Sequence, residues 1–227
     1  MGQALLRLAA DHPDHLKVVA AVTGRAPTQR VVDGIAFFAA SELAGAPAFD
    51  VAIDFSLPEG FDAIVQLCVE RSAALVSGTT GIGQLQRERL DAAAMTVPLV
   101  WASNFSLGVA VLDELVERAA QAVAGWDCDI VESHHTRKLD APSGTALTLG
   151  AAATRGGAQP HYASLRAGDI IGEHLVQFTG QGERIELVHR ATNRDIFARG
   201  ALFVARQLQG RAPGSYRVRD LLDAPAG

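Results

Sequence analysis

Between Phe49 and Trp101 the chain alternates short apolar runs with amphipathic stretches of about a dozen residues, and few folds accept that rhythm. Phe49-Asp-Val-Ala-Ile-Asp-Phe55, Ala73-Ala-Leu-Val-Ser77 and Val97-Pro-Leu-Val-Trp101 read as strands buried on both faces. The stretch after Ser56-Leu-Pro-Glu59 has a helix start signal: Ser56 as cap, proline in the first turn and an acid favoured by the helix dipole. That helix should run through Phe61, Ile64, Val65 and Cys68 to Arg71, and a second should cover Gln84 to Ala94. A parallel pair of strands needs a crossover long enough to hold a helix, so the alternation predicts a doubly wound parallel sheet. Ligands of such sheets lie beyond the carboxyl ends of the strands. The residues placed there are Thr23-Gly-Arg25, Phe55-Ser56, Gly78-Thr-Thr80 and Ala102-Ser-Asn-Phe105.

Before this region, Gly2 to Ala10 has helical spacing and ends at Asp11-His-Pro13; Lys17 to Val22 reads as a strand, and a less regular stretch reaches Ala48. After Trp101 the rhythm changes. Ser106 to Ala124 is a long amphipathic helix, Cys128 to Val131 is apolar, and Thr145 to Arg155 is helical. Gly172 to Thr179 and Glu183 to His189 flank a Gly180-Gln-Gly182 turn, with Ile185, Leu187 and His189 on one face. Tyr162 to Arg166 is a fourth strand beside Asp127–Ser133, Arg194 to Leu208 a helix, and Tyr216 to Leu222 a short closing one. The expected fold class is α/β. Residues 1–103, completed by about 210–227, should form a dinucleotide-binding Rossmann-like domain. Residues 104–209 should form a substrate-binding and oligomerisation domain, α+β, on a mostly antiparallel four-stranded sheet.

A formal net charge of −5 argues against generic nucleic-acid binding, which needs a basic face. No apolar run reaches the roughly 18 residues that span a bilayer, so no membrane partner is expected. Two cysteines, Cys68 and Cys128, lie far apart in apolar runs, and no signal peptide is evident. Buried thiols in a reducing cytoplasm are the expectation.

The chemistry is concentrated in Glu132-Ser-His-His-Thr-Arg-Lys-Leu-Asp-Ala-Pro-Ser-Gly-Thr145. His134 and His135 at a strand end suit a general acid and an anion binder, since imidazole titrates near neutrality. A surface histidine pair is the bland alternative. A metal site is weaker: the thiols are remote, and His12, His15, His161, His174 and His189 show no ligand spacing. Lys138, with Ser143, Gly144 and Thr145 opening a helix, makes a carboxylate receptor from a cation and free N–H groups. Ser143 as a hydrolase nucleophile lacks the Gly-x-Ser-x-Gly elbow. At the end of the early strand there is no acid to read a ribose diol, but Arg25 is close by, which leans toward NADPH over NADH.

These residues closely resemble the signature of the dihydrodipicolinate reductase family, E-x-H-H-x-x-K-x-D-A-P-S-G-T-A, matched from Glu132 to Ala146. Asp54-Phe-Ser-x-Pro-Glu-Gly60, Ser77-Gly-Thr-Thr-Gly81, Asn104-Phe-Ser-x-Gly108, Arg166-Ala-Gly-Asp-x-x-Gly-Glu-His174 and Gly182-Glu-Arg-Ile-Glu-Leu-x-His189 look like further family blocks. So does Arg194-x-x-Phe-Ala-x-Gly-Ala201. The resemblance implies a reductase of the diaminopimelate route to lysine, 4-hydroxy-tetrahydrodipicolinate reductase in type. A nicotinamide cofactor, NADPH or NADH, would deliver hydride to C4 of a cyclic, doubly carboxylated imine bound between the domains. By position, His134 would protonate the ring carbon beside the reduced centre, and Lys138 would stabilise developing negative charge. His135, Ser143, Gly144 and Thr145 would hold a substrate carboxylate. Gly78, Thr79 and Thr80, with Ala102, Ser103, Asn104 and Phe105, would line the nicotinamide and ribose, with Arg25 near the phosphate side. No metal is implied, and the family is usually a homotetramer.

Two departures from the family pattern stand out. Relatives open with a strand and a Gly-x-x-Gly-Arg-Met-Gly loop, whereas this chain opens at Met1-Gly2-Gln3, the end of that loop followed by its helix. The expected cause is a mis-set start. The alternative expectation is an inactive truncated relative that binds a dicarboxylate without turnover. The second departure is the short connection from Arg155 to His161, which trims a surface loop.

Overall fold

A computed structural model of the chain describes residues 1–11 and 16–222. By its contacts the chain divides into two units: Met1–Ser103 with the chain from Ala198, and Asn104–Phe197.

The first unit opens with α1 (Gly2–Ala10); His12 and Pro13, read as its stop signal, lie outside the described residues, as do His15 and residues 223–227. β4 (Val51–Asp54), α2 (Pro58–Arg71), β5 (Ala74–Ser77), α3 (Gln84–Ala94) and β6 (Pro98–Trp101) reproduce the predicted alternation within a residue or two. Phe61, Cys68, Leu75 and Leu99 fill the space under the helices. The Phe and Leu side chains each contribute about 1.5–3 kcal/mol on burial.

The expected single parallel sheet is two sheets. β1 (Ala20–Thr23) pairs with β3 (Ile35–Ala39) in parallel, and β3 pairs antiparallel with β2 (Val31–Val32). The larger sheet has the order β11-β6-β5-β4, with β11 at Gly214–Ser215, and is parallel throughout. Among the described residues no ladder joins β1 to β4. The hairpin in the supposedly irregular stretch had a signal: Asp33-Gly34 sits at φ 50° and 78°, the left-handed pair of a type I′ turn between apolar strands. The closing segment forms β11 and a 3₁₀ turn (Val218–Leu221) where a helix was predicted. Ser56 does not cap α2. Leu57 holds the N-cap position, and the Ser56 hydroxyl donates to the Leu57 carbonyl at 3.1 Å.

The second unit is α+β. α4 (Leu107–Ala122) and α5 (Gly144–Arg155) pack against each other and against a sheet of order β10-β9-β7-β8. Its strands are β7 (Asp127–His134), β8 (Pro160–Arg166), β9 (Gly172–Gly180) and β10 (Glu183–Ala191). β9 runs antiparallel to both neighbours; β8 is parallel to β7, because α5 carries the chain across. α6 (Asp195–Leu208) spans the boundary of the units. Side chains alternate along a strand, so the face of β7 that buries Cys128 and Ile130 also buries Glu132 and His134. The opposite face of the sheet carries an in-register row, Ala163–Val131–Leu175–Val188.

Candidate active site

Glu132 and His134 are two residues apart on β7 and therefore share its inner face. Glu132 is completely buried, and its Oε2 takes the His134 Nδ1 hydrogen bond at 2.5 Å. Arg166, paired in register with His134, donates Nη1 to Oε2 at 2.9 Å and Nη2 to Oε1 at 2.7 Å. The Ser143 amide donates to Oε1 at 3.2 Å. Burial opposes the charge on Glu132, but Arg166, Ser164 and His134 outweigh it and hold the carboxyl at about 2. His134 is pulled below the ordinary imidazole value by burial, helped by Lys138 and Arg166 and opposed by Glu132.

From β9, His174 meets the His134 ring edge-on, with centroids 5.2 Å apart. It is buried, and its Nε2 lies 3.2 Å from the Ser143 hydroxyl. Burial pushes its pKa down to about 4, so it is neutral near pH 7. Its neighbour across the ladder, His189, stands in the same relation to Ser106, Nε2 to Oγ at 3.2 Å. Ser106 and Ser143 are the N-caps of α4 and α5, accepting from Val109 and Ala146. One cross-strand histidine pair thus braces the starts of both helices.

This bracing changes the reading of Ser143. Expected among the anion-holding residues, it is buried, and its hydroxyl is occupied by the Ala146 amide and His174. Gly144 and Thr145 form the first turn of α5; Gly144 is half-buried and Thr145 buried, with Asn104 donating Nδ2 to the Thr145 hydroxyl at 2.9 Å. His135 keeps a buried Nδ1 without a hydrogen-bond partner. Lys138 closes a turn through its amide to the His135 carbonyl and pairs with Asp140 at 2.8 Å. The second unit therefore gathers His134, His135, Lys138, Gly144 and Thr145 around the end of β7 and the start of α5. Glu132, Arg166 and His174 complete the set, and sequence reasoning assigned them no role; the Glu-x-His spacing on a strand was the available signal.

In the first unit, Asp54 at the end of β4 is buried, and both its carboxylate oxygens are hydrogen-bonded. It accepts the Ser56 amide at 2.9 Å and the Ser77 and Thr79 hydroxyls at 2.8 and 2.7 Å. This holds the Gly78–Thr80 loop at the carboxyl edge of the sheet; Thr79 is buried, and Thr80 is exposed. Gly78 is bare because the Phe55 ring lies where a Cβ would stand, 2.2 Å away. Ala102 is tied to this edge by its amide to the Ser77 carbonyl at 3.1 Å, and Ser103 is exposed. Arg25 is exposed beyond β1, in the smaller sheet.

Two family models cover the chain: dihydrodipicolinate reductase, N-terminus, over residues 1–105, and dihydrodipicolinate reductase, C-terminus, over residues 108–222. A 4-hydroxy-tetrahydrodipicolinate reductase of Stenotrophomonas maltophilia (strain R551-3) is 86% identical over 98% of this chain and 93% of its own length. The enzyme of that name from Xylella fastidiosa (strain 9a5c) is 67% identical over the same shares. A dipicolinate-bound dihydrodipicolinate reductase from Paenisporosarcina sp. TG-14 shares the fold at a TM-score of 0.79, with 22% identity, 97% of this chain and 95% of that one covered. With both halves matched and such relatives along nearly its whole length, the chain belongs to the dihydrodipicolinate reductase family and is an NAD(P)H-dependent oxidoreductase of that type.

Proposed function

We propose that this chain is a 4-hydroxy-tetrahydrodipicolinate reductase, and that the imidazole of His134, gripped by Glu132 beside Lys138 and the first turn of α5, is its proton donor. The observation that carries this reading is the grip itself. Glu132 takes Nδ1–H, which leaves Nε2 as the nitrogen able to deliver a proton. The first-turn amides of α5 at Gly144 and Thr145 offer N–H groups and the positive end of a helix dipole to a carboxylate, with His135, whose buried Nδ1 has no hydrogen-bond partner, nearby in sequence. Lys138 supplies positive charge for negative charge that develops on the ring. Ser143 shapes this receptor from behind as the helix cap. The substrate of this reading is a small cyclic dicarboxylate; the Paenisporosarcina reductase, which shares the fold and has dipicolinate bound, supports that choice.

Gly78, Thr79 and Thr80, with Ala102, Ser103, Asn104 and Phe105, are the residues that would hold the nicotinamide end of the cofactor. The donor set fits: Ser56, Thr80 and Ser103 are exposed residues with neutral hydroxyls, and the adjacent acid, Asp54, is buried with both oxygens hydrogen-bonded. Arg25 would favour a 2′-phosphate. When bound, the cofactor supplies hydride; the chain's own groups bind the dianion, neutralise its charge and donate the proton. The test is loss of reduced-nicotinamide absorbance with freshly formed substrate and this chain. A turnover that depends on both reactants supports the reading, and its absence overturns it.

We also propose that the chain works as a homotetramer in the cytoplasm. Burial raises the Cys68 and Cys128 thiols to about 12 and about 11, so neither is a reactive thiolate near neutrality. No helix among the described residues is long and apolar enough to cross a membrane. The row Ala163–Val131–Leu175–Val188 lies on the open face of the second sheet, where Leu165 is 55% and Val188 43% exposed. A second copy is the occupant that fits a self-complementary sheet face. Leu175→Glu is expected to reduce the mass seen by light scattering toward that of a single chain, and an unchanged mass would remove the interface.

A further inference from the structure

The reaction described above gives Glu132 and Arg166 no task, yet the guanidinium meets both oxygens of a fully buried carboxylate. Taking a carboxylate wholly out of water is expensive, and an apolar replacement is often as stable as a buried ion pair. Stability alone therefore gives little reason for the pair, whereas its geometry points at His134. Glu132 Oε2 takes Nδ1, which turns Nε2 toward Gly172. A Cβ on Gly172 would stand 3.0 Å from that nitrogen, so the absence of a side chain keeps the proton-bearing end uncovered.

The groups facing the ring are Glu132 from β7, Arg166 from β8, the neutral His174 from β9 and Lys138 from the segment after β7. Glu132 alone would hold an imidazolium proton strongly and make His134 a poor acid. Arg166 draws on both carboxylate oxygens and weakens that hold. We infer that Glu132 and Arg166 are paired positioning residues of the proton transfer: the carboxylate fixes His134 as the Nδ1–H tautomer, and the guanidinium sets how readily Nε2 gives up its proton. This rests on His134 being the proton donor.

The test is an NMR titration of the His134 imidazole in the full chain, read by ring nitrogen and Cε1–H shifts. The wild-type neutral ring should be the Nδ1–H form. Glu132→Gln should move the titration to lower pH by about one unit or more and mix the tautomers, while Arg166→Gln should move it to higher pH by a similar amount. The basic limb of the kcat/KM profile should follow in the same two directions. A merely structural pair would not produce opposite shifts. Movement in the same direction, or by less than about 0.3 unit in both folded variants, overturns the inference. Should either variant lose its fold by circular dichroism, Arg166→Lys decides: a smaller upward shift supports the inference and no shift overturns it. His134→Gln separates the two readings, since a wild-type rate there defeats the proton donor while the titrations still judge the positioning.

Discussion

Replacing His134 by Gln is expected to lower kcat by on the order of 10²-fold or more, the usual contribution of a positioned general acid. Glutamine keeps much of the shape and can still meet Glu132 with its amide, so the loss should lie in kcat while KM stays close to wild type. A general acid must be protonated to act. Burial holds the His134 pKa below the ordinary value, so the wild-type rate should decline as pH rises past that lowered pKa. The variant should lose this limb of the profile. Lys138→Ala is expected to cost a similar factor by removing positive charge from the transition state. Its pairing with Asp140 at 2.8 Å keeps the ammonium on a short turn. His135→Ala should act on KM instead, because its proposed contact is made to substrate and transition state alike. Steady-state kinetics on the three variants decide the assignment: a wild-type kcat in the first or second refutes the role given to that residue.

Acidification from pH 6.5 to pH 4 is expected to cost the fold about 3 kcal/mol through His174 alone, the free energy of its lowered pKa. The sign follows from the direction of the shift. The unfolded chain takes up a proton on His174 near 6.5, whereas the folded chain resists until about 4 because burial opposes the charge. Stability is therefore complete above pH 6.5 and declines as pH falls toward 4. His134 and His189 are also lowered by burial and add to the same slope. Glu132 works in a different window, with its contribution lost between the ordinary carboxyl value of 4.5 and about 2. Urea midpoints from pH 7 to pH 4.5 would show it: the wild type should lose stability steeply, and His174→Gln should give a shallower slope. Parallel slopes would mean that His174 is not the group being titrated.

Periodicity and punctuation were enough to place α1, α2, α3, α4, α5 and α6 within a residue or two, because each carries an apolar stripe that only a helix can bury. β5 and β6 were equally legible as unbroken apolar runs. The hairpin β2–β3 was missed although its Asp33-Gly34 turn was in plain view, since its strands are short and the pairing of β3 with β1 is non-local. The division of the parallel strands into two sheets was invisible for the same reason: the string of residues does not show which edges meet.

The titratable stretch from Glu132 to Thr145 and its likeness to the dihydrodipicolinate reductases came from the chain itself, because reactive side chains follow directly on a strand and lead into a helix start. What the tertiary structure decided was the wiring. It buried Glu132 between His134 and Arg166, residues drawn from neighbouring strands, and it set the Ser143 hydroxyl as the cap of α5. It also set His174 and His189 side by side to brace two helices whose caps, Ser106 and Ser143, are far apart in the sequence. Hydrogen bonds between strands and cap residues distant in sequence depend on register and packing, which no local pattern of residues specifies.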